Sequence, residues 1–296
     1  MIIWIASYPK SGNTWLRVFI SSILYSNDGI VNLENLKHID QYPLISHFDG
    51  LIDDPKNINV KNQNDIKKIF SNLILSQDKI NLDNKIKFLK THFVCANILG
   101  YNFTNYDNTL GVIHIVRDPR NVVTSIKNHW GHKNVDESCD FILSERQWLT
   151  YNIKNEDIKK NLLPDNSFPT LISSWKSHYN YWNKIEKNYL LIKYENLIQK
   201  PEEEFNKIVI YLENILNIKI DKKKIKNAIE TSSFENLQSL EAQNKFDEGK
   251  TSKHGSKIRF FNLGKKNNWE KILQDNIKAK IEKNFIFEMK KLGYLN

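Results

Sequence analysis

Apolar residues gather in short continuous runs at 2–7, 86–90, 111–116 and 189–193, and between them the pattern changes to one apolar position every three or four residues. Unbroken runs of this length predict strands covered on both faces, as in a parallel sheet, and the spaced pattern predicts amphipathic helices. The helices fall at 14–25, 65–75, 119–129, 139–151, 173–187, 201–216 and 222–230. Strands alternating with helices give an α/β fold, a single domain over 1–296 with a central parallel β-sheet flanked by helices. In such a sheet ligands collect beyond the C-terminal ends of the strands, so the residues that follow each run carry the functional question. Three polar stretches, 26–62, 154–169 and 241–263, carry Asn, Asp, Pro or Gly punctuation and read as irregular connections. The last holds Lys245, Lys250, Lys253, Lys257 and Arg259 with few apolar anchors, and reads either as plain basic surface or as a lid over an anionic ligand.

The first run leads into Tyr8-Pro9-Lys10-Ser11-Gly12-Asn13-Thr14-Trp15. A strand, a short loop and a helix in this order make a P-loop-like anion cradle, because the first N–H groups of a helix lack internal partners and carry the positive end of its dipole. Gly12 allows the backbone to approach an anion closely, Lys10 places a cation over it, and Asn13 or Thr14 opens the helix. The kinase signature GxxxxGK[ST] is not met, since the lysine precedes the loop's one glycine. A nucleotide or sugar kinase is therefore disfavoured.

Charge and cysteine usage narrow the class further. Lys plus Arg number 43 against 34 Asp plus Glu, a net charge of +9 that favours anionic ligands. The lysines are spread along the chain rather than gathered in one arm with interleaved aromatics, which argues against nucleic acid. Cys95 and Cys139 are far apart and form no CxxC, so no disulfide framework or zinc ribbon is expected, and a reducing, cytoplasmic compartment fits. No stretch of 18 apolar residues occurs, so no membrane span is expected and the chain reads as soluble and unexported. His129 and His132 lie near Cys139 without a fourth ligand, and no metal is expected there. His114, between Ile113 and Ile115, reads as packing.

The ordered set of motifs is specific. Tyr8 to Trp15 resembles the 5′-phosphosulfate loop of sulfotransferases that use 3′-phosphoadenosine 5′-phosphosulfate (PAPS), whose usual form is YPKSGTTW, with Asn13 in place of a threonine. Lys90-Thr91-His92 resembles that family's Lys-Thr-His segment, and Arg117-Asp118-Pro119 with Ser125 resembles its 3′-phosphate segment. Tyr194-Glu195-Asn196-Leu197 with Pro201, and Thr231-Ser232-Ser233-Phe234, are similar to two later segments. The departure lies before Trp269, where the family's basic pair preceding a glycine is replaced by Asn262 and Leu263 ahead of Gly264, leaving Arg259, Lys265 or Lys266 as substitutes.

The resemblance implies transfer of a sulfuryl group from PAPS to a hydroxyl or amine, leaving 3′-phosphoadenosine 5′-phosphate (PAP), without a metal. It implies that His92 is the general base and that Lys10 and Lys90 stabilise charge. It further implies that Lys10, Ser11, Gly12, Asn13, Thr14, Trp15, Arg117, Ser125, Tyr194, Ser232, Phe234, Gly264 and Lys265 bind the cofactor, with Trp15 and Phe234 sandwiching or flanking adenine, although Trp15 on its own pattern reads equally as a core residue of the first helix. The acceptor, a small molecule or carbohydrate, is expected between 40–51 and 129–151, where Tyr42, Phe48, Trp130, Phe141 and Trp148 offer either stacking faces or plain packing. Oligomeric state is left open. The competing reading is a non-catalytic sulfotransferase-like protein that binds an anionic nucleotide or polyanion, and such a protein has no use for His92.

Overall fold

A computed structural model describes residues 1–150, 166–243, 246, 250, 251, 257, 258, 260, 261 and 264–296. Five strands form the central sheet: β1 (Ile2–Ser7), β2 (Ile39–Tyr42), β3 (Lys87–Thr91), β4 (Thr109–Val116) and β5 (Tyr189–Lys193). Their order across the sheet is β2-β3-β1-β4-β5, and all neighbours run parallel. The α/β class and the parallel sheet flanked by helices agree with the expectation from sequence. β1 lies at the centre, with Trp4 opposite Leu89 on one side and Val112 on the other.

The two faces of β1 show why its sequence is apolar throughout. Ile3 and Ile5 pack with Leu16, Phe19 and Ile20 of helix α1 (Asn13–Tyr25) on one side. Ile2, Trp4 and Ala6 pack with Ile69, Phe70 and Leu73 of α2 (Gln63–Ile80) on the other, following the period of two. Trp4 is fully buried and satisfies its indole N–H on Thr109 Oγ1 at 3.0 Å, so it fills volume without leaving a stranded donor. A third apolar cluster joins α3 (Pro119–Trp130), α4 (Val135–Leu143) and α5 (Trp175–Trp182) to the C-terminal helices Asp275–Asn284 and Ile286–Lys291.

Several expectations change. The stretch 26–62 is not wholly irregular, because β2 forms one edge of the sheet within it. The helix read at 139–151 begins earlier, at Val135 behind an Asn134 cap that accepts from Glu137 N at 2.9 Å, and ends at Leu143. Trp148–Leu149 then pairs antiparallel with Thr170–Leu171. The helix read at 173–187 shortens to α5, whose Ser174 cap accepts from Ser177 N at 3.2 Å. By contrast α3 starts as its sequence dictates, with Asp118 accepting from Arg120 N at 2.9 Å and Pro119 in the first turn, and Gly131 closes it at φ 61°. Of the two other polar stretches, residues 151–165 and Lys245, Lys253, Arg259, Asn262 and Leu263 lie outside the described residues.

Candidate active site

The loop between β1 and α1 is shaped by two left-handed residues, Lys10 at φ 67° and Gly12 at φ 101°. A Cβ added at Gly12 would stand 2.5 Å from Tyr194 Cδ2, so glycine is needed for the close crossing as well as the backbone angle. Ser11 is fully buried and its Oγ lacks a partner among the described residues, as does Asn13 Oδ1. The Asn13 amide instead donates to Ile5 O at 3.0 Å and Ser7 Oγ at 3.1 Å, tying the start of α1 back to the end of β1. Thr14 is buried in the same turn, and Trp15, only 6% exposed, donates its indole N–H to Ser232 O at 2.6 Å. Trp15 also meets the rings of Tyr194 and Phe205 edge-on, each at 6.0 Å.

Arg117 stands at the end of β4. It donates from Nη1 to Lys10 O at 2.9 Å, and its guanidinium lies 4.2 Å over the Tyr194 ring. Its Nε is buried without a partner among the described residues. A cleft of about 240 Å³ opens beside it, lined by Arg117, Asn121, Tyr194, Gly264, Asn267 and Trp269. Phe234 adjoins this cleft through Gly264, where an added Cβ would stand 2.4 Å from Phe234 Cε1. Ser232 is buried next to Trp15, and Ser125 is half-buried on α3 without lining the cleft. The loop, the β4 end, Tyr194, the 232–234 segment and Gly264 thus come together. Lys265 shares the turn Gly264–Lys266, but its side chain lies outside the described residues.

On the other side of β1, His92 follows β3. Its Nδ1 lies 2.7 Å from Ser7 O and 3.2 Å from Ser7 Oγ. A carbonyl oxygen only accepts, so Nδ1 carries the proton and Nε2 is left with the lone pair. Burial, and then the positive Lys90, hold the His92 pKa well below the ordinary imidazole value. Lys90 donates to Gln41 Oε1 at 3.1 Å, and Lys10 lies 4.3 Å over the Phe260 ring.

The sequence reading missed a buried network behind Arg117. Asp118 N donates to Glu195 Oε1 and Tyr294 OH donates to Glu195 Oε2, both at 2.9 Å, while Arg120 bridges Asp118 and Glu282. Burial raises the Glu195 pKa. The Tyr-Glu pair at 194–195 was the available signal, since a carboxylate beside a strand-end aromatic needs partners once buried. Most of the aromatics expected around an acceptor serve packing. Tyr42, Phe48, Trp130 and Phe141 are buried, with Phe48 stacked on Phe168 at 3.9 Å and Trp130 tilted against Phe141 at 4.7 Å, and Trp148 is half-buried. His114 is buried with Nδ1 2.7 Å from Tyr189 OH, as a packing residue would be. Among the described residues no group of three or more His, Cys, Asp or Glu could hold a metal, and no helix is long and apolar enough to cross a membrane.

Comparison with known proteins gives a consistent result. The family described as Sulfotransferase domain matches residues 2–293. Luciferin sulfotransferase of Photinus pyralis is 24% identical over 247 residues, covering 82% of this chain but 58% of that protein's length. Among solved structures, mouse sulfotransferase SULT7A1 complexed with PAP superposes with a TM-score of 0.56 at 18% identity, over 97% of this chain and 84% of that one. Retinol dehydratase in complex with retinol and PAP gives a TM-score of 0.54 at 17% identity, over 98% and 81%.

Proposed function

We propose, on the premise that the chain belongs to the sulfotransferase domain family, that it transfers a sulfuryl group from PAPS to a hydroxyl or amine of a small-molecule or carbohydrate acceptor. The observation that carries this reading is a pair of buried donor groups without partners among the described residues, Ser11 Oγ and Arg117 Nε, at a glycine-shaped loop. Buried polar groups are nearly always hydrogen-bonded, so two unpaired donors at one loop fit an acceptor-rich, polyanionic ligand. Gly12 supports the same fit, because any side chain there would close the approach.

PAPS supplies the sulfuryl group. Lys10, with the first N–H groups of α1, would hold the 5′-phosphate, and Arg117 would hold the 3′-phosphate with its planar fork. Tyr194, Ser232, Phe234 and Gly264 would border the nucleoside, and Ser125 and Lys265 extend the same assignment. Lys90 would place positive charge at the sulfuryl oxygens. His92 Nε2 would take the acceptor proton, with its tautomer fixed by Ser7 O. Positioning and charge stabilisation supply most of the acceleration, by analogy with phosphoryl transfer. The whole chain, 1–296, acts as one domain in this reading. The unpaired Cys95 and Cys139 accord with a reducing, cytoplasmic setting.

Calorimetric titration with PAP, beside ATP and 5′-AMP, tests the proposal. Binding that requires the 3′-phosphate is the expected result. Lys10→Ala and Arg117→Ala are each expected to weaken PAP binding by about 1.5–3 kcal/mol, the worth of a charge-assisted bond. Equal affinity for 5′-AMP, or unchanged PAP affinity in both variants, would overturn the assignment.

A further inference from the structure

Gln41 sits on the edge strand β2, directly opposite Lys90 of β3 in the parallel register. Its carboxamide oxygen accepts from Lys90 Nζ at 3.1 Å, and its Nε2 donates to Ser167 Oγ at 3.3 Å. The orientation of the amide follows from chemistry, because an ammonium group has only donors and must face the oxygen. Ser167 is fully buried and is anchored to the chain after β2 by a bridge to Leu44. A short relay therefore runs from a fixed buried hydroxyl through a neutral amide to a flexible cation at the strand end where the ligand is expected.

We infer that Gln41 is a positioning residue for Lys90, aiming its ammonium group at the sulfuryl group of PAPS. This inference rests on the proposed PAPS reading. Lysine has four rotatable bonds, and holding one of its N–H groups on a fixed acceptor reduces the freedom lost when the others engage an anion. A neutral amide does this without cancelling the charge. A carboxylate at the same place would form an ion pair and reduce the attraction of Lys90 for the ligand. PAP lacks the sulfuryl group, so the contribution of Lys90 separates from that of the nucleotide grip without knowledge of the acceptor.

Calorimetry of the full-length protein with PAPS and with PAP provides the test. Gln41→Leu is expected to weaken PAPS about three- to tenfold, the range of one net hydrogen bond, with PAP affinity within about twofold of wild type. Gln41→Glu keeps the shape and a partner for Lys90, so a merely structural contact would survive it. It is expected to weaken PAPS at least as much, and more than it weakens PAP, and it stands in if the leucine variant fails to fold. In a Lys90→Ala background Gln41→Leu should add nothing, since the two side chains act as one unit. Unchanged PAPS affinity in the variants, equal losses for PAPS and PAP, or additive losses with Lys90→Ala would overturn the positioning role alone. A wild-type protein that binds neither nucleotide would overturn the cofactor reading and this inference with it.

Discussion

Replacing His92 by alanine is expected to lower kcat for sulfuryl transfer by about a hundredfold to ten-thousandfold, the span usual for a lost general base. PAP affinity should stay within about twofold, because His92 follows β3 while the expected phosphate contacts come from the β1 loop and the β4 end. The expectation depends on Ser7 O, which holds Nδ1–H and leaves Nε2 as the basic atom. The same site predicts the pH behaviour. Burial and Lys90 oppose the imidazolium form, so the folded pKa lies well below 6.5 and the base stays neutral as the pH falls through 6.5. The kcat/KM profile should therefore hold its plateau below pH 6.5 and decline only at more acid values. The assay is turnover of PAPS with an acceptor that supports the wild-type rate. A residual rate above about a tenth of wild type would remove His92 as the base.

The parts of the fold and site legible in the sequence are those whose cause is local. β1 reads as a strand because a parallel sheet buries both its faces, and the Lys10 to Trp15 loop reads as an anion cradle because glycine, lysine and a helix start are adjacent. Asp118 and Pro119 announce α3 for the same reason. β2 was missed because it spans four residues, two of them Asp40 and Gln41, and owes its extended form to pairing with β3 rather than to its own propensity. The register that sets Gln41 against Lys90 was hidden with it. Tyr42 and Phe48 looked available for stacking on an acceptor, but an aromatic near a strand end packs inward whenever the neighbouring element leaves room. Asp118 is a local partner of Arg120, but its other partners, Glu282 and Tyr294, lie far along the chain, so the buried network was not legible.

Replacing Arg120 by methionine is expected to cost about 3–5 kcal/mol of unfolding free energy, the usual penalty for removing one partner of a buried ion pair. Arg120 is 5% exposed. Its Nε and Nη2 grip Asp118 at 3.0 and 2.7 Å, and its Nη1 and Nη2 reach Glu282 at 2.6 Å and Tyr294 O at 2.8 Å. The guanidinium also lies 3.8 Å over the Trp269 ring. Without it, buried Asp118 would lose the two-pronged contact that neutralises it beside buried Glu195, and Tyr294, which ties the chain end to Glu195, would lose a second hold. Lysine keeps the charge but cannot match a fork that meets a carboxylate with two N–H groups, so Arg120→Lys should fall between wild type and methionine. The stranded charge, rather than lost packing, carries most of the predicted cost. Adding Asp118→Asn to Arg120→Met should therefore recover a large part of it, since asparagine still caps α3. Urea unfolding of wild type and the three variants decides the matter. A double variant no more stable than Arg120→Met would assign the cost to packing against Trp269 and the loss of the Glu282 and Tyr294 contacts.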